Sequence, residues 1–417
     1  MINKERAFAR LKEIGFVRVG GSEEEFKAVN QLGLELEEAQ IEHELESFEV
    51  GAYYVHQVEL KVLEPYVASY EVNAVGLSGS TIEEGIISDF LYVEEANPLQ
   101  LIHAKNKIVL INGRLSAKRY EELTKAQVSG IITFSGSVID DSNQTDLEIR
   151  ELSQTDQLKY GKIPSVTIRA KDALELVVKQ ASKIQLTLQQ DEGYSLSHNL
   201  IATITGTDFP DEEVILMAHY DSTPYSLGVY DNGSGSSLIM ECLHYFKENP
   251  PKRTLKCIWF GSEERGLYGS HAYVKQHKGE LQQVKLGINV DMAGPVLGED
   301  RAFVIADDSL THYVDYIGKL TGFPITVKSS IYSSDCIPFS HQGVPTISFA
   351  RFGAPGCSPG HNRYDLIEHL SADSLKKTGD FILKICDQLI NAEEFPVPST
   401  IPSTLFEEIE KYLQIKK

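Results

Sequence analysis

The feature that most constrains the fold is a regular alternation of strand-like and helix-like segments that begins at Asn199. Short apolar runs such as EEVILMA, LKCIWFG and GINVDM are separated by longer amphipathic runs such as SSLIMECLHYFKE. Strands that alternate with helices in this way form a largely parallel sheet with helices on both faces. We therefore predict an α/β fold whose core has three layers, α/β/α, around a mostly parallel, mixed sheet.

The length of 417 residues favours a large domain with one smaller module. Residues 1–54 begin with two amphipathic helices that we assign to the large domain, and Ser22 is placed to cap the second of them. Residues 55–190 change to short β-rich segments and polar loops, which indicates an inserted module. Residues 191–395 hold the α/β core, and residues 396–417 begin with a proline-rich stretch that predicts an exposed tail.

The charge of the chain excludes two classes of partner. Asp and Glu number 60 against 39 Lys and Arg, which gives a formal net charge of -21. A surface this acidic repels the phosphates of nucleic acids and the headgroups of anionic membranes. We predict neither nucleic acid nor membrane as a partner.

The cysteine pattern and the N-terminal segment both favour a cytoplasmic location. The five cysteines form an odd set without a short paired spacing, which argues against a disulfide framework and against a structural zinc site. The opening segment MINKERAFARLKEIGF has no uninterrupted apolar stretch, so we predict no secretory signal. No stretch is long enough to span a bilayer.

Polar residues of one chemical kind follow the predicted strands of the core. Carboxylates and imidazoles stand at strand ends or in the loops that follow them: His219, Asp221, Asp231, Glu263, Glu264, Asp291 and His361. In an open α/β sheet the ligand site lies at the carboxyl ends of the strands. Buried carboxylates are costly unless a cation pairs with them, and imidazole with carboxylate but no thiolate suits catalytic zinc, or cobalt or manganese in its place.

Each of these segments has a plainer explanation when it is considered alone. DNGSG is typical of a turn followed by a helix start, and SEE is typical of a solvated surface. DNGSG is also no phosphate cradle, because no GKS or GKT follows it. The combination is far more specific, because every segment falls where a site is expected on one sheet.

Five segments follow one another within roughly residues 195–395, in the order AHYDS, VYDNGSG, FGSEERGLYGS, NVDMAG and PGHNRYD. This order resembles the dizinc aminopeptidase family, which includes bacterial leucyl aminopeptidases and aminopeptidase Y and has glutamate carboxypeptidase among its relatives. It implies the zinc-exopeptidase fold, of the phosphorylase/hydrolase type. The β-rich segment before the core is similar to a protease-associated (PA) domain, on NPLQLIHAKNKIVLIN and GKIPSVTI.

This resemblance implies a metal-dependent exopeptidase that hydrolyses N-terminal residues from peptides through a hydroxide bound by two zinc ions. It implies that Asp231 bridges both ions. His219 and Asp291 then complete one site, and Glu264 and His361 complete the other. The peptide bond from Asp231 to Asn232 is expected to be cis, as in members of the family.

The resemblance also implies a catalytic role for Glu263 and Asp221. Glu263 is the general base, and Asp221 accepts the imidazole proton of His219 and fixes its tautomer. The spacing is physically reasonable, because adjacent residues at a strand end point in different directions. Glu264 can then bind metal while Glu263 faces the water.

One segment departs from the family pattern. Many relatives have SDH where this chain has SDC, so that Cys336 replaces a histidine and leaves Tyr332, Ser334 and Asp335 as the expected substrate-binding residues. We expect Cys336 to be a packed thiol. Cys357, close in sequence to His361, is expected to be a loop residue.

Three alternatives stay open from the sequence. A carboxypeptidase or dipeptidase on the same fold needs arginine for the substrate carboxylate, and Arg265, Arg351 and Arg363 are candidates. A glutaminyl-cyclase-like acyltransferase uses one zinc, whereas the five ligand residues here favour hydrolysis. A catalytically dead binding protein would have lost ligands, and this chain has lost none.

Overall fold

The computed structural model describes residues 1–415, which fold into two compact units. The core unit consists of Met1–Val50 together with the chain from Leu196 onward, and the inserted unit is Gly51–Ser195. The chain passes between them within two long strands, His43–Glu64 and Lys183–Ile204.

The helices of the described chain are α1 Lys4–Glu13, α2 Glu23–Glu38, α3 Ala117–Lys125, α4 Gln154–Tyr160, α5 Ala170–Val178, α6 Ser234–Glu248, α7 Tyr268–Gln276, α8 Asp308–Thr321, α9 Cys336–His341, α10 Ala372–Ile390 and α11 Ser403–Tyr412. No helix within residues 1–415 has the length and apolar character needed to cross a bilayer.

The strands are β1 His43–Glu64, β2 Ala68–Tyr70, β3 Asn73–Gly76, β4 Ile86–Tyr92, β5 Ile108–Leu110, β6 Gly130–Ser135, β7 Arg150–Glu151, β8 Ser165–Arg169, β9 Lys183–Ile204, β10 Phe209–His219, β11 Arg253–Phe260, β12 Val284–Val290, β13 Gly298–Ile305, β14 Ile325–Ser329 and β15 Thr346–Gly353.

The core unit contains a mixed sheet in the order β14-β13-β15-β12-β10-β11-β9. β10 pairs in parallel with both β11 and β12, whereas β9 and β13 pair antiparallel with their neighbours β11 and β15. In this register His219 lies opposite Phe260, and Met217 lies opposite Asn289. The mostly parallel, mixed sheet predicted from the sequence is confirmed, and the carboxyl ends of β10, β11 and β12 meet at one edge.

Both faces of this sheet are buried, which explains the continuous apolar runs in its strands. On one face Leu216 and Trp259 pack in a large cluster with apolar residues of α1, α2, α6 and α10. On the other face Met217 and Phe260 pack with residues of α7 and α9, including Tyr273. Parallel strands that are covered on both sides read as uninterrupted apolar segments, and the three-layer core is therefore confirmed.

The two predicted N-terminal helices are α1 and α2. The side chain of Ser22 caps α2 by accepting a hydrogen bond from the backbone N–H of Glu25, as expected. The buried guanidinium of Arg10 on α1 pairs with Glu35 of α2 and, at 3.0 Å, with the buried Glu241 of α6. This charged contact attaches both helices to α6.

Replacement of Glu35 by Gln should make unfolding less sensitive to acid. Hydrogen bonds from His244 and Arg10 more than offset the effect of burial and lower the pKa of Glu35 to about 2. A lowered folded-state pKa stabilises the protein above the unfolded value near 4.5, and this stabilisation is lost as the pH falls towards 2. We expect Glu35→Gln to lower the free energy of unfolding by about 2 kcal/mol at pH 7 and by much less at pH 3.

The measurement is the unfolding free energy at several pH values between 2 and 7. Glu37→Gln, a change of an exposed residue on the same helix, is the matched control and should leave the pH dependence of the wild type unchanged. A loss of stability in Glu35→Gln that stayed constant over this pH range would contradict the assignment.

The inserted unit contains the sheet order β4-β5-β6-β8-β3-β7, and the first 4 residues of β9 pair with β4. The β-rich character predicted for this part of the sequence agrees with β5, β6 and β8, which lie in the segments KIVLIN, GIITFSG and PSVTIRA. The unit also contains α3, α4 and α5, which the description as β-rich did not anticipate. Ser116 caps α3, and Tyr120 and Leu123 form its buried face. Because the helix is only 9 residues long, its apolar periodicity in the sequence is weak.

The expected exposed tail is wrong where the chain forms α11 and where it buries three apolar side chains, although most of the described residues from 396 onward are exposed. Val397 is buried, and α11 buries Leu405 and Ile409. The prolines that suggested a tail include Pro402, which stands at the start of α11, where proline is well tolerated. Residues 416–417 of the predicted tail lie outside the described residues.

Candidate active site

The candidate site lies where β10, β11 and β12 end. His219 is the last residue of β10, Glu263 and Glu264 follow β11 after two residues, and Asp291 comes directly after β12. Because these three strands are parallel and adjacent, their polar ends are brought together. The sequence pattern thus places four of the predicted site residues at the same edge.

A tight turn, Val229–Gly233, brings Asp231 to this edge at the start of α6. The peptide bond between Asp231 and Asn232 is cis, as predicted. The Asn232 side chain donates to the carbonyl of Val290 at 2.8 Å and accepts from the N–H of Met292 at 3.0 Å. These bonds attach the turn to the end of β12, next to Asp291.

Asp231 lies between two groups of potential metal ligands. Its Oδ1 is 3.3 Å from His219 Nε2, and its Oδ2 is 3.0 Å from His361 Nε2. His219 Nε2 is also 3.5 Å from Asp291 Oδ1, and His361 Nε2 is 3.1 Å from Glu264 Oε2. The result is two donor clusters that share Asp231: His219 with Asp291, and His361 with Glu264.

The buried charge of these clusters fits bound cations. Ligand atoms of His219, Asp231 and Glu264 all lie within 4.8 Å of one another. Burial raises the pKa of Glu264 to about 7, with the Asp231 carboxylate as the next cause, and burial likewise raises the pKa of Asp291. Oε1 of Glu264 has no hydrogen-bond partner within residues 1–415. Nitrogen and oxygen donors in this crowded, acidic arrangement match the ligand preference of a catalytic zinc site.

The two imidazoles are strongly affected by the surrounding carboxylates. Hydrogen bonds with Asp231 and Glu264 raise the pKa of His361 to about 11. The pKa of His219 is raised as well, because Glu263 and the carboxylates bonded to the ring outweigh its burial. The carboxylates therefore favour positive charge at both nitrogens that face Asp231, which is where a cation would bind.

Glu263 lies beside the donor clusters. Its Oε2 is 3.9 Å from His219 Nε2, and its side chain keeps 11% of its surface exposed. Burial raises the pKa of Glu263 well above its ordinary value, and the Asp335 carboxylate adds to this effect. A carboxylate with raised proton affinity at the open edge of such a site is suited to accept a proton.

Asp221 lies beside the ring of His219 and is hydrogen-bonded to the backbone of the glutamate pair. Its Oδ1 lies 3.4 Å from His219 Nδ1, on the side of the ring opposite Asp231. Its two oxygens accept hydrogen bonds from the backbone N–H groups of Glu263 at 3.0 Å and Glu264 at 3.2 Å. The sequence suggested the first of these contacts. The second, which fixes the turn after β11, was not anticipated.

Glu25 supports the segment before Glu263 and was not anticipated from the sequence. This buried carboxylate accepts from the N–H of Ser262 at 2.9 Å, from the N–H of Gly21 at 2.7 Å and from the hydroxyl of Ser197 at 2.8 Å. It holds the residue immediately before Glu263. Glu25 stands three residues after Ser22, as the glutamate of a capping box does. Because the start of α2 explains this glutamate by itself, the sequence gave no reason to expect a contact with Ser262.

Arg18 was also missed, and it supports the loop that precedes Asp231. Its fully buried guanidinium donates to the carbonyls of Leu227 at 2.6 Å, Gly228 at 2.7 Å and Ile14 at 2.9 Å. Burial lowers the pKa of Arg18 to about 10. Glycine is required at position 228, because its φ is +60° and a Cβ there would lie 2.7 Å from Ser222.

Asp365, in the segment that provides His361, anchors the backbone of the shared ligand. Its carboxylate accepts from the N–H groups of Tyr230 at 2.8 Å and Asp231 at 3.1 Å, and from the hydroxyl of Ser226 at 3.1 Å. The segment PGHNRYD therefore supplies both a predicted ligand and the support of Asp231.

Replacement of Asp365 by Asn should weaken metal binding while the fold is retained. An amide offers one oxygen and one NH₂ group, and the NH₂ group cannot accept from a backbone N–H. Loss of a group that orients a metal ligand typically costs about 10- to 100-fold in metal affinity. Zinc affinity, measured by competition with a chelator, should fall in Asp365→Asn and remain unchanged in Asp308→Asn, a change of an exposed residue on α8. Equal affinity in both variants would contradict this role.

The predicted substrate-binding residues differ in their access to the site. The half-buried ring of Tyr332 stacks on Phe303 at a centroid distance of 4.8 Å and meets Phe352 edge-on at 5.8 Å. Ser334 and Asp335 are buried, and the Ser334 hydroxyl donates to the carbonyl of Tyr332 at 3.2 Å. Of the three residues, Tyr332 has the largest accessible surface.

The two cysteines near the site are placed as expected. Cys336 is buried, and burial raises the pKa of its thiol to about 12. Cys357 is a half-buried residue in the loop before His361.

Solved structures show the class to which this fold belongs. A zinc aminopeptidase from Bacillus subtilis matches with a TM-score of 0.80 and 22% identity, over 98% of this chain and 99% of that chain. An aminopeptidase from Aneurinibacillus sp. strain AM-1 matches with a TM-score of 0.76 and 20% identity, over 95% and 96% of the two chains. At these identities the likeness concerns the fold, which is that of the zinc aminopeptidases.

Sequence comparison gives a family match over the α/β core. Residues 199–386, which include all the predicted metal ligands, match Peptidase family M28. Aminopeptidase YwaD of Bacillus subtilis is 29% identical over 306 residues, which is 70% of this chain and 64% of that protein. Mouse Carboxypeptidase Q is 24% identical over 377 residues, 86% of this chain and 77% of the relative.

Proposed function

We propose that this protein is a zinc-dependent aminopeptidase that removes N-terminal residues from peptides. The observation that carries the proposal is the pair of donor clusters that share Asp231, with Glu263 beside them at the open edge of the sheet. The match of residues 199–386 to a peptidase family and the name of the relative YwaD support the same activity.

The donor clusters suit two zinc ions per chain, with cobalt or manganese as substitutes. Asp231 would bind both ions, His219 and Asp291 would hold one, and Glu264 and His361 would hold the other. When bound, zinc polarises the scissile carbonyl and makes water acidic enough to serve as a nucleophile near neutral pH.

Glu263 moves the proton in the proposed reaction. Its carboxylate accepts a proton from the attacking water and returns it to the amine that leaves. Asp221 holds the backbone of Glu263 and faces His219 Nδ1, so that it positions the base and one ligand together. Glu25 fixes Ser262 and thereby restricts the segment from which Glu263 projects.

The charge around the site favours a substrate with a free α-ammonium group. Asp335 is a buried carboxylate next to Glu263 and is not among the five predicted metal ligands. Arg351, a candidate for binding a substrate carboxylate, is engaged by Asp300 at 2.6 Å and by the carbonyl of Pro295 at 2.9 Å. Arg265 donates to the carbonyl of Gly20 at 2.9 Å.

A carboxypeptidase is the second candidate, because several relatives carry the name Carboxypeptidase Q. A panel of aminoacyl, N-blocked aminoacyl and free-carboxylate substrates, assayed with and without a chelator, separates the candidates. An aminopeptidase should hydrolyse the aminoacyl substrates, reject the N-blocked ones and lose activity with the chelator. Preference for N-blocked substrates with a free C-terminal carboxylate would establish the carboxypeptidase instead.

Three further predictions remain part of the proposal. The inserted unit is proposed to be a protease-associated domain without catalytic residues, based on its sequence resemblance. A cytoplasmic location is proposed from the amino-acid pattern. The partners are proposed to be peptides, with no role for nucleic acid or membrane, because of the net charge of -21.

A further inference from the structure

The loop of residues 331–335 carries all three predicted substrate-binding residues but has little support from its own backbone. Within residues 1–415, no N–H group of this loop donates to a backbone carbonyl. Segments that lack such bonds open more easily than regular elements. The position of Tyr332 must therefore be fixed by side-chain contacts.

Helix α11 supplies an apolar support for this region. Leu405 and Ile409 belong to one buried cluster with Leu267, Cys336 and Ile337. Cys336 and Ile337 begin α9, directly after the loop. The helix therefore packs against the base of the loop through its apolar face.

The same cluster reaches the segment that carries the proposed base. Leu267 follows Glu264 by three residues, and its N–H donates to the carbonyl of Glu263 at 2.8 Å. Leu405 and Ile409 thus contact, through one cluster, both the turn after β11 and the start of α9. One helix links the two sides of the candidate site.

A hydrogen bond connects α11 to the loop itself. The hydroxyl groups of Tyr412 and Ser333 are 2.6 Å apart, and Ser333 directly follows Tyr332. The ring of Phe406 on α11 stacks against His341 at the end of α9, with a centroid distance of 5.8 Å. We call Leu405, Ile409 and Tyr412 the C-terminal clamp.

We propose that the C-terminal clamp positions the substrate loop and that Tyr412, through Ser333, contributes to selectivity for the substrate side chain. This inference rests on the proposed function, because it takes Tyr332 as part of the substrate site. The clamp lies outside residues 199–386, the part of the chain that matches the family. Tyr412 is a positioning residue, because it acts through Ser333.

The test uses Tyr412→Phe, which removes the hydroxyl and keeps the ring. Tyr316→Phe, on the exposed surface of α8, is the matched control. One hydrogen bond contributes enough to change an opening equilibrium or a binding constant by about two- to tenfold. The N–H of Ile337 donates to the loop carbonyl of Ser334 at 3.0 Å, so its hydrogen–deuterium exchange reports opening of the loop. We expect this exchange to become faster by this factor in Tyr412→Phe and to stay unchanged in the control.

The functional readout is the ratio of kcat/KM between aminoacyl substrates with large aromatic and with small side chains. Tyr412→Phe should change this ratio by about two- to tenfold, mainly through KM, at unchanged zinc content. Ser333→Ala should have the same effect, and the double variant should be no worse than either single one.

Wild-type exchange in Tyr412→Phe, or an unchanged selectivity ratio, would overturn the clamp. A loss of zinc that accounted for the whole change would also overturn it, because the defect would then lie in the metal site. If exchange responded as expected but the wild type hydrolysed no aminoacyl substrate, the clamp would stand as a support of the loop. Its role in selectivity would then fail together with the proposed aminopeptidase function.

Discussion

Glu263→Gln should keep its bound zinc and its fold and lose about 10²- to 10⁴-fold in turnover, because an amide cannot accept the proton of the attacking water. The loss should appear in kcat more than in KM, since the contacts that bind the substrate remain. The structure supports this separation, because Glu263 Oε2 is 3.9 Å from His219 Nε2 whereas Glu264 Oε2 is 3.1 Å from His361 Nε2.

Glu264→Gln is the matched control for this prediction. The adjacent residue should lose metal affinity, and excess zinc should partly restore its activity, because its defect is one of occupancy. Metal content and peptide hydrolysis are measured on both variants side by side. Retained activity in Glu263→Gln, or metal loss there with none in Glu264→Gln, would exchange the two roles or exclude the mechanism.

His219→Ala and His361→Ala should each remove about one of two zinc ions per chain, because each deletes a ligand from a different donor cluster. Turnover should fall by at least about a hundredfold. Loss of a residue that only hydrogen-bonds to a metal ligand already costs up to about a hundredfold, and loss of the ligand itself should cost no less. Elemental analysis after gentle purification, together with circular dichroism, separates metal loss from unfolding.

Replacement of His271 by Ala provides the control for the histidine variants. His271 is an exposed histidine on α7 that lies outside both donor clusters. Its replacement should leave the zinc content unchanged. If His361→Ala kept its full metal content, the second donor cluster would not be a metal site.

The core of this fold could be predicted because each of its strands, and the polar residues at the strand's end, form one short continuous segment of the sequence. Apolar strands such as β10 and β12 are continuous in sequence, and their polar ends follow directly. Once the strands are parallel and adjacent, geometry alone brings His219 and Asp291 within 3.5 Å. The motif order then added Asp231 and His361, which arrive on loops.

The supports of the site could not be predicted in the same way. Glu25 lies more than 230 residues before Ser262, and its local pattern is fully explained by a helix cap. Arg18 donates to backbone carbonyls, and such contacts leave no complementary charge in the sequence. The sequence predicts a tail in place of α11, because prolines lie nearby and the helix has only one short apolar face. These elements act through tertiary contacts, which residue spacing does not reveal.

The proposed activity requires that the two donor clusters hold zinc. The most direct measurement removes all metal with a chelator and then follows hydrolysis of an aminoacyl substrate while zinc is added in known amounts. We expect negligible activity without metal and full recovery near two zinc ions per chain, with no recovery in Glu263→Gln. Full activity in the metal-free protein, or recovery that was equal in Glu263→Gln, would contradict it.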